Sequence, residues 1–173
     1  AENILIYDEA GDHTAMQSAE IAIEKGSTVE FMTPDRLISS EIMGMNLTPY
    51  LKNLQNKKIT YSIAKRLKDV SIKGNKLNAI IGSDYDENFK HSSTYDQIFL
   101  NYGVKPLDEL YFNLVSFSKN EGEVNYTKFI KGEIQNIIKN KNNKFNLYRI
   151  GDAVSSRNIH AAIYDALRLV INL

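Results

Sequence analysis

The apolar positions of the first sixty residues switch back and forth between two periodicities. Ile4 to Tyr7 is a short, continuous apolar run of the kind that forms a strand buried on both faces. Thr14 to Lys25 carries Ala15, Ala19, Ala22 and Ile23 at helical spacing and stops at Gly26, after which Val29 to Met32 is strand-like again. Strand, helix and strand within about 30 residues predict a right-handed unit with parallel strands, Rossmann-like in outline. Met45 to Leu54 is predicted helical, with Pro49 near its first turn, and leads to a strand at Ile59 to Ser62. From Arg66 the pattern becomes alternating: Leu67, Val70 and Ile72, a Lys73-Gly-Asn-Lys76 turn, Leu77 to Ile81, an acidic loop, then Ser92 to Leu100. Gly-Asn between alternating runs is a hairpin signal, so this stretch predicts an antiparallel meander.

Leu107 to Lys144 reads as loop-rich, with one helix at Tyr126 to Ile130 and a mobile surface segment around 132–144. The end of the chain is more specific. Phe145 to Ile150 predicts a strand, Gly151-Asp152 a tight turn with a carboxylate, and Ser155-Ser-Arg-Asn-Ile-His160 the start of an apolar-periodic helix running to Leu173. A glycine lets backbone approach a ligand, an aspartate accepts from sugar hydroxyls, and free N–H groups at a helix start favour phosphate. That combination predicts a nucleotide site.

Composition narrows the partners. The chain has 173 residues, 43% apolar and formally neutral, enough for one domain or two small lobes. Zero net charge gives no electrostatic reason to expect nucleic acid or an anionic membrane. No apolar run approaches the ~20 residues a bilayer span needs, and no signal peptide is visible, so the expected location is cytoplasmic. Without cysteine there is neither a disulfide framework nor a cysteine-held cluster within these residues, and the three histidines have no metal-ligand spacing.

Tyr148-Arg-Ile-Gly-Asp-Ala153 with Arg157-Asn-Ile-His-Ala-Ala-Ile-Tyr-Asp-Ala-Leu167 resembles the last flavin-contacting motif of flavoproteins with two dinucleotide-binding domains. The likeness is to the C-terminal part of the trimethylamine dehydrogenase, dimethylglycine or N-methylproline demethylase and dienoyl-CoA reductase group, in the old yellow enzyme class. Asn3-Ile-Leu-Ile-Tyr-Asp8, Val29 to Arg36, Pro106 to Tyr111 and Gly122-Glu-Val124 fall in the same order as in that group, so the resemblance spans nearly the whole chain. It implies an α/β fold: residues 1–104 as a nicotinamide-dinucleotide-type lobe with a meander, and 105–173 as the terminal strand and helix of an FAD/ADP-type lobe. Tyr95 to Gly103 would be the return strand between them. It also implies a fragment, since the FMN barrel and iron–sulfur cluster of the group lie outside this chain. The barrel is then the partner within one polypeptide, with an electron-transfer protein or a second copy as further partners. FAD or ADP would sit at the incomplete C-terminal site. There Asp152 would meet ribityl or ribose hydroxyls beside Gly151, and N–H groups near Asn158 and Ile159 would face a phosphate or the flavin ring. Arg157 would pair with phosphate or cap a neighbour. No residue of this chain is expected to be catalytic.

The turn after the first strand departs from a dinucleotide site. Such a site needs Gly-x-Gly-x-x-Gly, whereas this chain has Asp8-Glu-Ala-Gly-Asp-His-Thr-Ala15. Two carboxylates ~5 Å from a phosphate charge, at an effective dielectric of about 20, repel it by about 3 kcal/mol each before screening. Thr33-Pro34 replaces the ribose-binding acid after the second strand. NAD(P) is therefore not expected. Two other readings stay open: a docking module for the barrel, a subunit or an electron carrier, and a free-standing NAD(P)-dependent reductase, which the degraded glycine motif argues against. Apolar residues such as Ile150, Ile159, Ile163 and Leu167, left uncovered, favour self-association, because burying about 400 Å² is worth about 10 kcal/mol gross.

Overall fold

Asn3–Asp8 forms strand β1, Thr28–Met32 strand β2 and Ile59–Ser62 strand β3, paired in parallel. Helix α1, His13–Glu24, joins the first two and helix α2, Gly44–Leu54, lies between the second and third. Successive β1 side chains point to opposite faces. Ile4 and Ile6 pack with Ala15, Met16, Ala19 and Ala22 of α1 and with Val29 and Phe31 of β2, while Leu5 and Tyr7 pack on the other side. This is why the β1 run is apolar throughout: it is covered from both sides. The helix begins one residue earlier than expected, at Gly44, so Pro49 stands in its second turn and removes one intrahelical hydrogen bond.

The second cover is the meander. Strands β4 (Arg66–Lys73), β5 (Lys76–Gly82) and β6 (His91–Tyr95) form an antiparallel sheet in that order, and Gly74, with φ +63°, makes its first turn. Leu67, Ala79, Ile81 and Tyr95 pack against Leu5, Tyr7 and Met32. The run Ser92 to Leu100 is divided, the return strand expected from Tyr95 to Gly103 beginning within it. Its second part belongs to β7, Gln97–Asn101, which pairs in parallel with β1 and completes the order β3-β2-β1-β7. Asp96 stands at the division. Its Oδ2 accepts the N–H groups of Glu2 at 2.9 Å and Asn3 at 2.8 Å, and its Oδ1 pairs with Lys76 at 3.1 Å.

The computed structural model describes residues 1–170, and the chain divides into two units, Ala1–Gly103 and Val104–Leu173. The second unit holds helices α3 (Glu109–Leu114), α4 (Tyr126–Lys131) and α5 (Ile159–Val170), with single 3₁₀ turns at Val115–Phe117 and Gly151–Ala153. Helix α3 is unexpected; at six residues it is too short for a periodic signal. Segment 132–144 contains no helix or strand, yet it is anchored: Gln135 accepts the Asn125 N–H at 2.9 Å, the Lys139 N–H donates to Lys119 O at 2.7 Å, and Asn143 donates to Ser118 O at 3.1 Å. The expected strand Phe145–Ile150 forms no ladder among the described residues. Among the described residues the second unit has no other strand to pair with it; the Lys119 N–H donates to Phe145 O at 2.7 Å, and Asn120 bonds both the N–H and the C=O of Leu147, at 2.8 and 2.7 Å. The last three residues of the predicted final helix, 171–173, lie outside the described residues. Among those described, no helix is long and apolar enough to cross a membrane.

Candidate functional site

The turn between β1 and α1 is where a dinucleotide fold presents backbone N–H groups to a pyrophosphate. Here those of Glu9, Ala10, Gly11 and Thr14 are already bonded. Asp8, fully buried, accepts the N–H of Gly11 at 3.0 Å and of Ala10 at 3.2 Å, and Asp12 caps α1 by accepting the Thr14 N–H at 2.9 Å. Asn101, at the end of β7, donates its amide to both carboxylates, at 2.9 and 3.0 Å. Burial pushes the Asp8 carboxyl up, against the pull of Gly11, Asn101 and Ala10. Burial acts the same way on Asp12, but hydrogen bonds from Thr14 and Asn101 outweigh it and hold that carboxyl below the ordinary range. Glu9 turns elsewhere, accepting from the Tyr7 hydroxyl at 2.7 Å and pairing with Arg66 at 2.8 Å.

The same turn is closed from outside. Gly11 has φ +68°, and a Cβ on it would lie 2.7 Å from Ser40 Oγ and 3.1 Å from Ser40 N. The Glu41 N–H donates to Gly11 O at 3.1 Å, so the segment after β2 lies directly on the turn. The one glycine able to serve a ligand is thus taken up by the protein's own backbone.

In the second unit the residues of the C-terminal motif come together around a side chain that sequence reasoning missed. Asp165 of α5 is buried, accepts the Gly151 N–H at 3.1 Å on its Oδ2 and pairs through the same atom with Arg157. Of the two roles open to Arg157, the structure shows pairing within the protein. Gly151 has φ +57°, and a Cβ on it would lie 3.1 Å from the Ala162 Cβ. Its glycine character therefore serves close packing of the turn on α5. Asp152 is exposed. Asn158 caps α5, its side chain accepting the Ala161 N–H at 2.9 Å and its carbonyl the Ala162 N–H at 3.2 Å. Ile159 begins the helix and is exposed. The N–H groups of Ile159 and His160 have no intrahelical acceptor, as at any helix start. Upstream, Arg149 pairs with Asp108 and lies over the rings of Tyr111 and Phe112, 5.0 and 5.1 Å from their centroids, which ties the motif to α3. A cavity of about 280 Å³ adjoins the motif, lined by Tyr126, Phe129, Ile150 and Leu169 together with Arg157 and Asp165. Among the described residues no cluster of His, Cys, Asp and Glu is placed to hold a metal ion.

No family model matches the chain. Whole proteins do. A protein of Rhizobium meliloti (strain 1021) named "Probable N-methylproline demethylase" is 51% identical over 168 residues, which are 97% of this chain and 25% of that protein. N,N-dimethylglycine/sarcosine dehydrogenase of Chromohalobacter salexigens is 30% identical over 172 residues, again 97% of this chain and 25% of the relative. The chain is similar to a region of these relatives and not to their whole length. It spans about a quarter of the length of the curated relatives it matches. Solved structures agree on the fold: 6-hydroxypseudooxynicotine amine oxidase from Pseudomonas geniculata N1 superposes with TM-score 0.66 at 17% identity, over 99% of this chain and 22% of its own. A 2-naphthoyl-CoA reductase gives TM-score 0.62 at 14% identity, over 100% of this chain and 21% of its own.

Of the two residues that sequence reasoning missed, one was within its reach. Asp165 follows Ala162 by three positions and precedes Leu169 by four, so it sits on the inward stripe of an amphipathic helix, where an unpaired carboxylate is not tolerated. Asn101 carried no such signal, because only the parallel pairing of β7 with β1 brings it beside Asp8.

Proposed function

We propose that this chain is the nucleotide-binding-fold region of a longer flavin-dependent oxidoreductase of the amine-demethylating or amine-dehydrogenating type. Its substrate chemistry, hydride removal from an N-methyl or similar amine carbon, belongs to an FMN barrel, accompanied by an iron–sulfur cluster, elsewhere on the polypeptide. Residues 1–104 are a nicotinamide-type lobe that no longer takes a nicotinamide nucleotide. Residues 105–173 supply one wall of an FAD or ADP site and have no catalytic residue of their own. The exposed Asp152 carboxylate is free to accept from ligand hydroxyls, and the first N–H groups of α5, at Ile159 and His160, suit a phosphate. The remaining wall comes from chain outside residues 1–173. It also covers the apolar face of α5 that Ile159, Ile163 and Leu167 leave exposed. When bound, the adenine or flavin nucleotide supplies structure or electron transfer; the chain's own residues bind and orient it.

The observation that carries this reading is the filled β1–α1 turn. Asp8 and Asp12 take up the N–H groups of Ala10, Gly11 and Thr14, so a pyrophosphate would have to displace bonded carboxylates and face their charge. Titration calorimetry of the chain with NADH and NADPH is expected to give dissociation constants no better than about millimolar. Micromolar binding of either nucleotide would refute the reading and favour a free-standing reductase.

A further inference from the structure

A carboxylate on the buried stripe of an amphipathic helix needs a physical reason, because that position is ordinarily apolar and an unpaired charge there is costly. Asp165 holds two groups at once. Its Oδ2 accepts the Gly151 N–H at 3.1 Å and pairs with Arg157, eight residues earlier in the chain. The Gly151 N–H opens a 3₁₀ turn and has no carbonyl within that turn to meet. The Gly151 carbonyl already accepts from Val154 at 2.9 Å and Ser155 at 3.2 Å. Both backbone groups of Gly151 are therefore fixed, and the next residue, Asp152, is turned outward and exposed. Arg157 lies one residue before the cap Asn158, and its guanidinium is the counter-ion of the buried carboxylate.

We propose that Asp165 is the positioning residue of the nucleotide site: it sets the Gly151–Asp152 turn against α5 and holds Arg157 as its counter-ion, so that Arg157 is not a phosphate ligand. The proposal rests on reading the 151–159 segment as one wall of an FAD or ADP site. Under it, the bound phosphate is met by backbone N–H groups and the hydroxyls by Asp152. The guanidinium acts only by cancelling the charge of Asp165, which would otherwise stand buried and unpaired beside the phosphate.

The test uses the full-length protein. It measures FAD and adenine nucleotide released on denaturation, per FMN, and the affinity of the stripped protein for ADP by calorimetry, with thermal melts as a check on folding. Arg157→Gln strands the Asp165 charge and is expected to weaken ADP binding about tenfold or more. Asp165→Asn keeps an acceptor for the Gly151 N–H and leaves Arg157 free; affinity stays within about threefold of the parent. The double variant Arg157→Gln/Asp165→Asn removes both charges and is expected to recover to within about threefold of the parent. A purely structural ion pair would lower the melting temperature of Arg157→Gln while leaving its ADP affinity unchanged, and that result overturns the proposal. A double variant as weak as Arg157→Gln alone makes Arg157 a direct phosphate ligand and also overturns it. Asp152→Ala separates the two levels: loss of nucleotide there with no effect of Arg157→Gln sinks the positioning role alone, whereas unchanged nucleotide in Asp152→Ala removes the site and the proposal together.

Discussion

Two carboxylates with opposite titration behaviour and one glycine carry most of the consequences of single residues. Gly151 combines a left-handed backbone with a Cβ position 3.1 Å from that of Ala162. Gly151→Ala is expected to destabilise the second unit by about 1–2 kcal/mol from backbone conformation alone, with a further steric cost. Denaturant unfolding checks this, and adding Ala162→Gly recovers only the steric part. Asp8 is a buried acid whose carboxyl is raised, first by burial, and whose Oδ2 has no hydrogen-bond partner among the described residues. A raised folded-state value means that its contribution to stability is complete below the ordinary value of 3.8 and is lost as pH rises through the folded value. In Asp8→Asn that loss disappears, so the stability of the variant relative to the parent should rise between pH 3.5 and 7. A relative stability that instead falls over that window, in unfolding curves taken at each pH, contradicts the buried-acid assignment.

Among the elements, the parallel strands and the meander were legible because their periodicities are local: Ile4 to Tyr7, the alternation after Arg66 and the Gly-Asn turn each state their own type. The point at which the meander ends and the return strand begins was not, because β6 and β7 differ only in which neighbour they meet. Asp96 stands at that point, held by hydrogen bonds and an ion pair. N–H bonds from Asn3, the Lys76 ammonium and the Glu2 N–H bring its carboxyl down to about 2. A lowered folded-state value gives stability that is present above the ordinary carboxyl value and lost as pH falls toward about 2. Asp96→Asn should therefore be less stable than the parent at pH 7, with the difference closing between pH 4 and pH 2. A difference that persists unchanged at pH 2 assigns the effect to packing. The last strand failed as an expectation for the converse reason. Phe145 to Ile150 has strand composition, but a strand is a relation between two segments, and the described second unit offers it the Lys119 N–H at Phe145 and the Asn120 side chain at Leu147, not a ladder.

For the molecule as a whole, the C-terminal motif was readable as a set of residue types, while their roles depended on contacts that no single sequence displays. Gly151, Arg157 and Asn158 are engaged within the protein, while Asp152 faces outward with no protein hydrogen-bond partner among the described residues and Ile159 is exposed beside it in the motif. The chain covers about a quarter of the N-methylproline demethylase and dimethylglycine dehydrogenase relatives, so its site is completed elsewhere in the reading given above. The direct test is the nucleotide content of the full-length protein carrying Asp152→Ala, quantified after denaturation against the parent. The expected result is a marked loss of FAD or adenine nucleotide with FMN unchanged; nucleotide retained at the parental level would show that the Gly151–Asp152 turn is not a wall of that site.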